Sequence, residues 1–323
     1  MTSGEFELIA RYFKPLASAD APAFGLGDDA AVFSPPENKD LVMTKDALVA
    51  GVHFFADDAP DLVARKAVRV NISDLAAMGA MPYGYLLALA IPKEMKNIDD
   101  WVSKFARGLA QDQEKFNWSL IGGDTVSTTG PLSLSVTAIG TVERGCALKR
   151  AGAQAGDQIY VSGSLGDSAL GLAFLKGEIE GEGAALIKRY QIPEPRTELG
   201  AKLFGIATAA MDISDGLAGD LGHICEQSDL GAIIYENSLP LSKAAGKVLE
   251  RYCAYKDLIW RGGDDYELLF TAPVDQEKSI EQLAVELDLR ITNIGHMTVE
   301  KDLIIVDKAG KNRMFDKQGY QHF

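Results

Sequence analysis

The chain has 323 residues, of which 47% are hydrophobic, and its formal net charge is −14. This length suits one large domain or two ordinary ones, and the apolar content is sufficient for a sizeable core. The negative charge argues against non-specific nucleic-acid binding, which needs a basic surface, but it does not exclude nucleotides, because magnesium can invert the local field.

Neither the cysteine pattern nor the N-terminal sequence is typical of an exported protein. Cys146, Cys225 and Cys253 are scattered, form no CxxC pair and give no complete disulfide set. Residues 1–7 lack the basic and apolar regions of a signal peptide, and the apolar run at residues 85–91 is too short to span a bilayer. We therefore expect a soluble, cytoplasmic protein with reduced thiols.

Hydrophobic periodicity predicts alternating helices and strands in the first half of the chain. A stripe of apolar residues is typical of an amphipathic helix at residues 99–116, and partial alternation is typical of a half-buried strand at residues 132–142. Lys45 and Asp46 are predicted to lie between two short strands. The predicted helices cover residues 5–16, 62–78 and 99–116, and the predicted strands cover residues 40–44, 47–50, 84–91 and 132–142.

A small, polar, glycine-rich stretch at residues 150–157 predicts a domain boundary. We therefore expect an N-terminal domain over residues 1–148 and a C-terminal domain over residues 149–323. Because helices and strands alternate in both halves, the predicted fold class is α/β or α+β with two domains. In the second half, strands are predicted at residues 158–162, 207–213, 231–235, 268–272 and 303–306, helices at residues 169–176 and after Gly216, and an exposed loop at residues 178–183.

The strongest chemical signal is a set of aspartates that each adjoin a short apolar run, where we expect a strand to give way to a loop. Carboxylates are hard oxygen ligands that repel one another when grouped, and magnesium bridging to phosphate is the common way to neutralise them. The sequence therefore predicts a site for magnesium and a polyphosphate. The segments are Gly27-Asp28-Asp29-Ala30, Lys45-Asp46, Asn71-Ile72-Ser73-Asp74, Gly122-Gly123-Asp124-Thr125 and Met211-Asp212-Ile213-Ser214-Asp215-Gly216.

Several candidate residues also have an ordinary structural explanation. Asp29 suits a turn, and either Ser214 or Asp215 suits the N-cap of a helix. Arg150 is either a solvated cation or an arginine that grips phosphate, and a histidine beside aromatic residues, such as His53, is more often structural than a substrate contact. The usual GxxxxGK[ST] and GxGxxG phosphate fingerprints are absent, so a nucleotide would need another scaffold.

Further motifs, in the same order along the chain, complete a recognisable pattern. They are Gly4-Glu5-Phe6, Ala50-Gly51-Val52-His53-Phe54, Leu75-Ala76-Ala77-Met78-Gly79-Ala80 after Asp74, Ile121 before Gly122, Leu217 after Gly216, Gly262-Gly263-Asp264-Asp265-Tyr266-Glu267-Leu268 and Gly319-Tyr320. From end to end the chain resembles thiamine-monophosphate kinase, a family in the superfamily of aminoimidazole ribonucleotide synthetase and selenophosphate synthetase. The block at residues 71–80 and the order of the motifs are the most specific parts of this resemblance.

The resemblance implies a two-domain fold like that of aminoimidazole ribonucleotide synthetase, with the N-terminal sheet pairing across a homodimer and an ATP cleft built from both domains. The apolar runs at residues 85–91 and 132–142 also offer more strand surface than one small domain covers. The implied reaction is direct in-line transfer of the γ-phosphoryl group of ATP to thiamine monophosphate, which gives thiamine diphosphate in the final step of its biosynthesis. Several Mg²⁺ ions are implied, and neither a nucleic acid nor a membrane is an expected partner.

The resemblance also implies roles for the residues at matching positions. The expected nucleotide contacts are Gly123, Asp124, Arg150 and Ser214, and the expected contacts to thiamine phosphate are His53, Asp264 and Tyr320. The expected magnesium ligands are Asp29, Thr44, Lys45, Asp46, Asp74, Asp124, Asp212 and Asp215. No general base is expected, because the acceptor phosphate oxygen is already anionic and catalysis is mostly positioning and neutralisation.

Two positions depart from the pattern common in that family. Asp264 stands where glutamate is common, which keeps the charge but shortens the reach by one methylene. Lys45 stands where threonine is common, and an ammonium group is only a donor. We therefore expect residue 45 to serve a metal through its main-chain oxygen, with its side chain toward solvent or a nucleotide phosphate.

The sequence argues against two rival functions. A selenophosphate synthetase would need a reactive cysteine in an N-terminal glycine-rich loop, and no cysteine precedes Cys146. A non-catalytic sensor of nucleotide or thiamine phosphate is the other rival, and it could bind its ligand with fewer carboxylates than this chain has.

Overall fold

The computed structural model describes residues 4–20 and 22–314, and the chain divides into two compact units. Unit 1 holds the described residues within Met1–Leu75 and Ala80–Gly145, and unit 2 holds those within Ala76–Gly79 and Cys146–Phe323. The main division therefore follows Gly145, whereas the boundary expected from the sequence follows residue 148.

Unit 1 is built on a four-stranded sheet with helices against one face. The strands are β1 Lys39–Val49, β2 Met81–Pro92, β3 Ser119–Thr128 and β4 Ser133–Glu143, and the helices are α1 Glu5–Leu8, α2 Pro60–Ala77 and α3 Ile98–Phe116. The strand order is β1-β4-β2-β3, in which β4 is antiparallel to both neighbours and β2 is parallel to β3. After α1 the chain continues through a π-helical turn to Phe13 and a 3₁₀ turn to Leu16.

Side-chain contacts show which face of this sheet the helices cover. Thr44 of β1 contacts Asp74 of α2, and the hydroxyl of Tyr85 in β2 accepts a hydrogen bond from Gln113 of α3. Thr44 and Tyr85 are each in register with Ala138 of β4, so they point to the same face. Because side chains alternate along a strand, the neighbouring residues point to the opposite face. We call it the open face, although Ala23, Leu26 and Phe33 pack around its Ile139.

A buried ion pair joins α2 to α3. The guanidinium of Arg69 donates two hydrogen bonds to Asp112, at 2.7 and 2.9 Å, and both side chains are 0% exposed. Arg65 adds a third hydrogen bond to Asp112 at 3.2 Å. The two oxygens of Asp112 are thus satisfied by two cations, as a buried carboxylate requires. This pair fixes the helix that carries Asn71 and Asp74.

Unit 2 is built on a seven-stranded sheet. The strands are β5 Gln158–Ser162, β6 Ala209–Asp212, β7 Gly231–Tyr235, β8 Leu268–Ala272, β9 Ile291–Thr298, β10 Leu303–Val306 and β11 Asn312–Met314. The helices are α4 Asp167–Leu175, α5 Ala184–Gln191, α6 Thr197–Lys202, α7 Leu217–Ser228, α8 Lys243–Arg251, α9 Leu258–Arg261 and α10 Glu277–Glu286. The strand order is β11-β10-β7-β9-β5-β8-β6, and only the β7–β10 pair is parallel among the described strands.

Both faces of the second sheet are buried. Along β5, Ile159 and Val161 belong to one apolar cluster, whereas Tyr160 belongs to another. Along β8, Leu269 joins the first cluster and Phe270 the second. This two-sided burial explains why these strands are short, continuous apolar runs in the sequence.

The predicted α/β class is confirmed, and four strands of unit 2 have the predicted bounds: β5, β7, β8 and β10. Two expectations about the aspartates are wrong, because Lys45-Asp46 lies within the single 11-residue strand β1 and Gly122–Thr125 lies within β3. Both are edge strands of a sheet with one open face, where polar residues are tolerated.

Three further differences from the predicted elements are small. Asp74 lies inside α2 as expected, but the helix spans Pro60–Ala77. The strand predicted at residues 207–213 is only Ala209–Asp212, and the predicted exposed loop at residues 178–183 buries Ile179, which is 2% exposed. Among the described residues, no helix combines the length and apolarity needed to cross a membrane.

Candidate active site

Asp74 is held against β1 by a threonine. The hydroxyl of Thr44 donates a hydrogen bond to Oδ2 of Asp74 at 2.5 Å. Asp74 occupies the last part of α2, where Ser73 and Leu75 on either side are fully buried. A carboxylate in such surroundings needs a partner, and Thr44 supplies one. The two side chains proposed from the sequence as ligands are therefore in direct contact.

Asp46 lies on the same face of β1 as Thr44, because side chains alternate along the strand. Its main-chain amide donates to Oδ1 of Asn71 at 3.1 Å, and the Asn71 amide group donates to the carbonyl of Ala67 at 2.9 Å. Asn71 and Asp74 are three residues apart and thus lie on one side of α2. One face of α2 therefore carries Asp74, which is bonded to Thr44, and Asn71, which holds the backbone of Asp46.

Lys45 points to the open face instead. Its ammonium group donates to the hydroxyl of Ser135 in β4 at 2.8 Å, and that hydroxyl donates to the carbonyl of Asp46 at 2.9 Å. The Lys45 side chain is exposed, in line with the expectation that it faces solvent or a phosphate. It also lines a cavity of about 630 Å³, together with Asp29 and Asp124.

The strand register sets how far apart these groups lie. Asp46, Val136, Leu87 and Gly123 are aligned across β1, β4, β2 and β3. Three strand spacings of about 4.8 Å place the backbones of Asp46 and Gly123 about 14 Å apart. A magnesium ion binds oxygens at about 2.1 Å, so no single ion bridges Asp46 and Asp124.

His53 is held in one tautomer. Its Nδ1 accepts a hydrogen bond from the amide of Val49 at 3.1 Å, so the proton of the neutral ring is on Nε2. Its main-chain carbonyl accepts from Lys66 at 3.0 Å, and Lys66 is only 3% exposed. These contacts position His53 as a donor through Nε2.

In unit 2, Asp212 ends β6, and the loop with Ser214 and Asp215 leads into α7. The N-cap of α7 is Gly216 with a φ of 108°, so neither Ser214 nor Asp215 takes the capping role considered above. Oδ2 of Asp220 accepts from the amides of both Asp215 and Gly216 at 3.1 Å. The pKa of Asp220 is raised to about 8 by burial, and then by the nearby charges of Asp212 and Asp215.

This raised pKa shows that three carboxylates of unit 2 lie close enough to repel one another. Asp212 and Asp220 are themselves 3% and 1% exposed. Within residues 4–20 and 22–314, however, no three His, Cys, Asp or Glu side chains form a ready-made metal cage. Hard carboxylate oxygens without a complete cage fit Mg²⁺, which is usually held by one or two carboxylates together with substrate phosphates and waters.

Asp264 lies in a turn that is bonded to the same loop. The Asp264 amide donates to the carbonyl of Ser214 at 2.8 Å, and the Tyr266 amide donates to the carbonyl of Ile213 at 2.8 Å. The Tyr266 hydroxyl then donates to Oδ1 of Asp264 at 3.0 Å. Asp264 and Ser214, which sequence reasoning assigns to different substrates, are therefore direct neighbours.

The last two candidates are Arg150 and Tyr320. Arg150 is exposed, and the carbonyl of the adjacent Lys149 accepts from the amide of Ala210 at 2.8 Å. The backbone of Arg150 thus lies next to β6, and β6 ends at Asp212. Tyr320 lies outside the described residues.

Comparisons with known proteins show which family the chain resembles over its length. The family described as AIR synthase related protein matches with its N-terminal domain at residues 27–142 and with its C-terminal domain at residues 154–308. Thiamine-monophosphate kinase of Escherichia coli (strain K12) is 42% identical over 329 residues, which cover 100% of this chain and 99% of that protein.

The chain belongs to the thiamine-monophosphate kinase family.

Two solved structures are similar as well. The crystal structure of thiamine-monophosphate kinase from Stenotrophomonas maltophilia K279a is 42% identical with a TM-score of 0.81, and the match covers 89% of this chain and 91% of that one. AaThiL complexed with AMPPCP and TMP is 32% identical with a TM-score of 0.79, and the match covers 90% of this chain and 89% of that one.

Relative to the motifs of the thiamine-monophosphate kinase family, sequence reasoning missed the residues that hold the candidates in place. Asp220 contacts the 212–216 loop, Ser135 contacts Lys45, and Tyr266 contacts Asp264. One signal was available, because Asp220 stands between glycine and leucine in an otherwise apolar helix start. A buried acid at such a position needs donors.

We predict that Asp220 makes the stability of unit 2 depend on pH. Because the pKa of Asp220 is about 8 in the folded protein, against a usual 3.8, its contribution is fully present below about pH 4 and is lost as pH rises through about 8. The substitution Asp220→Asn keeps an oxygen acceptor for both amides and removes the charge. In EDTA, the Tm of this variant should fall less than that of the native protein between pH 6 and 9.

The matched control is Asp275→Asn, the same change at an exposed position of unit 2. Its Tm should follow the native pH dependence. Parallel curves for the native protein and Asp220→Asn, measured by calorimetry, would show that the pKa of Asp220 is not raised as described.

Proposed function

We propose that this protein is a thiamine-phosphate kinase that transfers the γ-phosphoryl group of ATP directly to thiamine monophosphate, giving thiamine diphosphate and ADP. The observation that carries the proposal is the 32% identical relative solved with both AMPPCP and TMP, since the match extends over 90% of this chain. The carboxylates, the donors and the cavity of about 630 Å³ described above support the same reaction. This step would complete thiamine diphosphate biosynthesis.

We propose that Mg²⁺ binds at Asp29, Asp46, Asp74, Asp124, Asp212 and Asp215, with the Thr44 hydroxyl and the main-chain oxygen of Lys45. When bound, the ions would neutralise the phosphates of donor and acceptor. The backbones of Asp46 and Gly123 are about 14 Å apart, which favours several ions along a polyphosphate over one ion. Thr44 and Asn71 hold Asp74 and Asp46 in place for this task.

The other proposed contacts divide between the two substrates. Gly123, Asp124, Arg150 and Ser214 would contact the nucleotide, with Arg150 matched to phosphate by its planar fork of donors. His53, Asp264 and Tyr320 would contact thiamine monophosphate. The Nε2 proton of His53 suits a phosphate oxygen, and the carboxylate of Asp264 suits the positive charge of the thiazolium ring.

No side chain needs to act as a general base. The attacking oxygen of thiamine monophosphate is already anionic, so the main barrier is repulsion between two phosphates. The protein therefore has to position the two groups and exclude competing water rather than remove a proton. We also propose a cytoplasmic location, which is where reduced thiols such as Cys146, Cys225 and Cys253 usually occur.

The central test of this function compares acceptors. Purified protein with ATP and Mg²⁺ should release ADP rapidly with thiamine monophosphate and only at background rate with thiamine, because thiamine lacks the anionic nucleophile. A coupled assay measures the release of ADP with each acceptor, and chromatography identifies the thiamine products. Equal turnover of the two acceptors would overturn the assignment.

Asp74→Asn should lower turnover by at least about 100-fold, because one charge that binds magnesium is lost from the transition state. The fold should survive, since the amide is nearly isosteric and its oxygen can still accept from Thr44. The control is Asp100→Asn on α3, where the native carboxylate makes only a surface pair with Lys104. Near-normal kcat in a folded Asp74→Asn protein would exclude Asp74 as a key ligand.

We propose that the protein is a homodimer that pairs through the open face of the unit 1 sheet. Met43, Leu86 and Val126 all point to that face and are 63%, 38% and 50% exposed. Leu86→Glu should therefore shift sedimentation at micromolar concentration toward the monomer, whereas Val285→Glu on exposed α10 should leave the dimer intact. A native protein that sediments only as a monomer would contradict the proposal.

A further inference from the structure

The turn that carries Asp264 has an unusual backbone. Asp264 and Tyr266 have φ values of 67° and 51°, in the left-handed region that residues with side chains rarely adopt. Gly263 precedes them, and a Cβ there would lie 2.3 Å from the carbonyl of Ser214. Such a conformation persists only where surrounding contacts determine it.

The alternate residues of the turn provide those contacts. Asp265 is 1% exposed, and its carboxylate accepts from the amides of Gly166 and Ser168 at 2.7 and 3.3 Å, at the start of α4. Glu267 is 0% exposed and lies immediately before β8. Asp265 and Glu267 are thus anchored in the interior, while Asp264 and Tyr266 contact each other.

Glu267 has the densest set of partners. Arg196 donates from Nε to Oε2 and from Nη2 to Oε1, both at 2.6 Å, in a bidentate pair. Arg189 donates to Oε1 at 2.7 Å and to the carbonyl of Asp265 at 3.2 Å, and Ser162 donates to Oε2 at 2.6 Å. One carboxylate thus ties together the ends of α5, α6, β5 and β8.

We propose that Arg196 and Arg189 are positioning residues for the thiamine-phosphate side of the site, because they hold Glu267 and thereby fix the turn that presents Asp264. This inference rests on the proposed function, in which Asp264 contacts thiamine monophosphate. A planar guanidinium matches both oxygens of a carboxylate, whereas a lysine offers a single point of donation. The geometry of the turn therefore depends on the arginine fork and not only on its charge.

The loop with Ser214 and Asp215 is bonded to this turn through the carbonyls of Ile213 and Ser214, but it has a second support that the turn lacks. The amides of Asp215 and Gly216 are held by Asp220, which lies in α7 and not in the turn. Loosening the Glu267 anchor should therefore affect the use of thiamine monophosphate more than the use of ATP. A purely structural role would lower stability without such a difference between substrates.

The experiment uses the full-length variants Arg196→Lys and Arg189→Lys, which keep the charge, with Lys202→Gln as the control. Lys202 makes an exposed ion pair with Glu286 in the same unit and does not touch the turn. In Arg196→Lys, we expect KM for thiamine monophosphate to rise about tenfold and KM for ATP to change less than about twofold. Arg189→Lys should show the same selectivity to a smaller extent, and Lys202→Gln should match the native protein.

Amide hydrogen exchange provides a second readout that does not depend on activity. In Arg196→Lys, exchange at Asp264 and Tyr266 should accelerate, whereas exchange at Asp215 and Gly216 should stay native. Equal rises in both KM values, or a lower Tm with both KM values and the exchange pattern unchanged, would overturn the positioning role. If Arg196→Lys does not fold, Arg189→Lys decides the same question.

Different results would refute the proposed function and the positioning role. A native protein that does not phosphorylate thiamine monophosphate would refute the proposed function, and the exchange pattern would then still test the anchoring of the turn. A native protein that is active, with variants that show no selectivity between substrates, would refute only the positioning role.

Discussion

Repulsion among carboxylates is the constraint on which the rest of the candidate site depends. In unit 2, the pKa of Asp220 is raised to about 8, first by burial and then by the nearby charges of Asp212 and Asp215. Neutral donors hold two of these carboxylates in place. Thr44 donates to Asp74, and backbone amides donate to Asp220. Neutral donors hold the carboxylates in place while leaving their charge for magnesium and phosphate.

Arginines neutralise the buried carboxylates that hold the fold together. Asp112 and Glu267 are buried carboxylates, and each is paired with arginines through several hydrogen bonds. Removing one partner of such a pair leaves an uncompensated buried charge, so these contacts fix the elements that carry them. Asp112 fixes α2 with Asp74, and Glu267 fixes the turn with Asp264. Asp112 and Glu267 are thus neutralised by arginine, whereas Asp74 and Asp220 accept hydrogen bonds from neutral donors.

How much the sequence predicts depends on whether a feature is local. The strands β5, β7, β8 and β10 are continuous apolar runs because both faces of their sheet are buried, and their bounds were predicted correctly. The Lys45-Asp46 pair was assigned to a loop, since nothing local distinguishes a polar edge strand from a loop. The candidate residues came from motifs. Their division between the two faces of a sheet follows from strand register, which pairs residues that are far apart in the chain, such as Asp46 with Val136 and Leu87 with Gly123.

The departure at Asp264 also has a structural reason. Aspartate is among the few residues with a side chain that tolerate the left-handed region, because its short polar side chain can hydrogen-bond locally, whereas the longer glutamate has no such preference. At a φ of 67°, Asp264 forms this kind of local bond with the hydroxyl of Tyr266 two residues later. The missing methylene therefore shortens the reach but stabilises the turn. The position of the carboxylate is then set by the backbone, and hence by Asp265 and Glu267, which anchor that backbone from the opposite side.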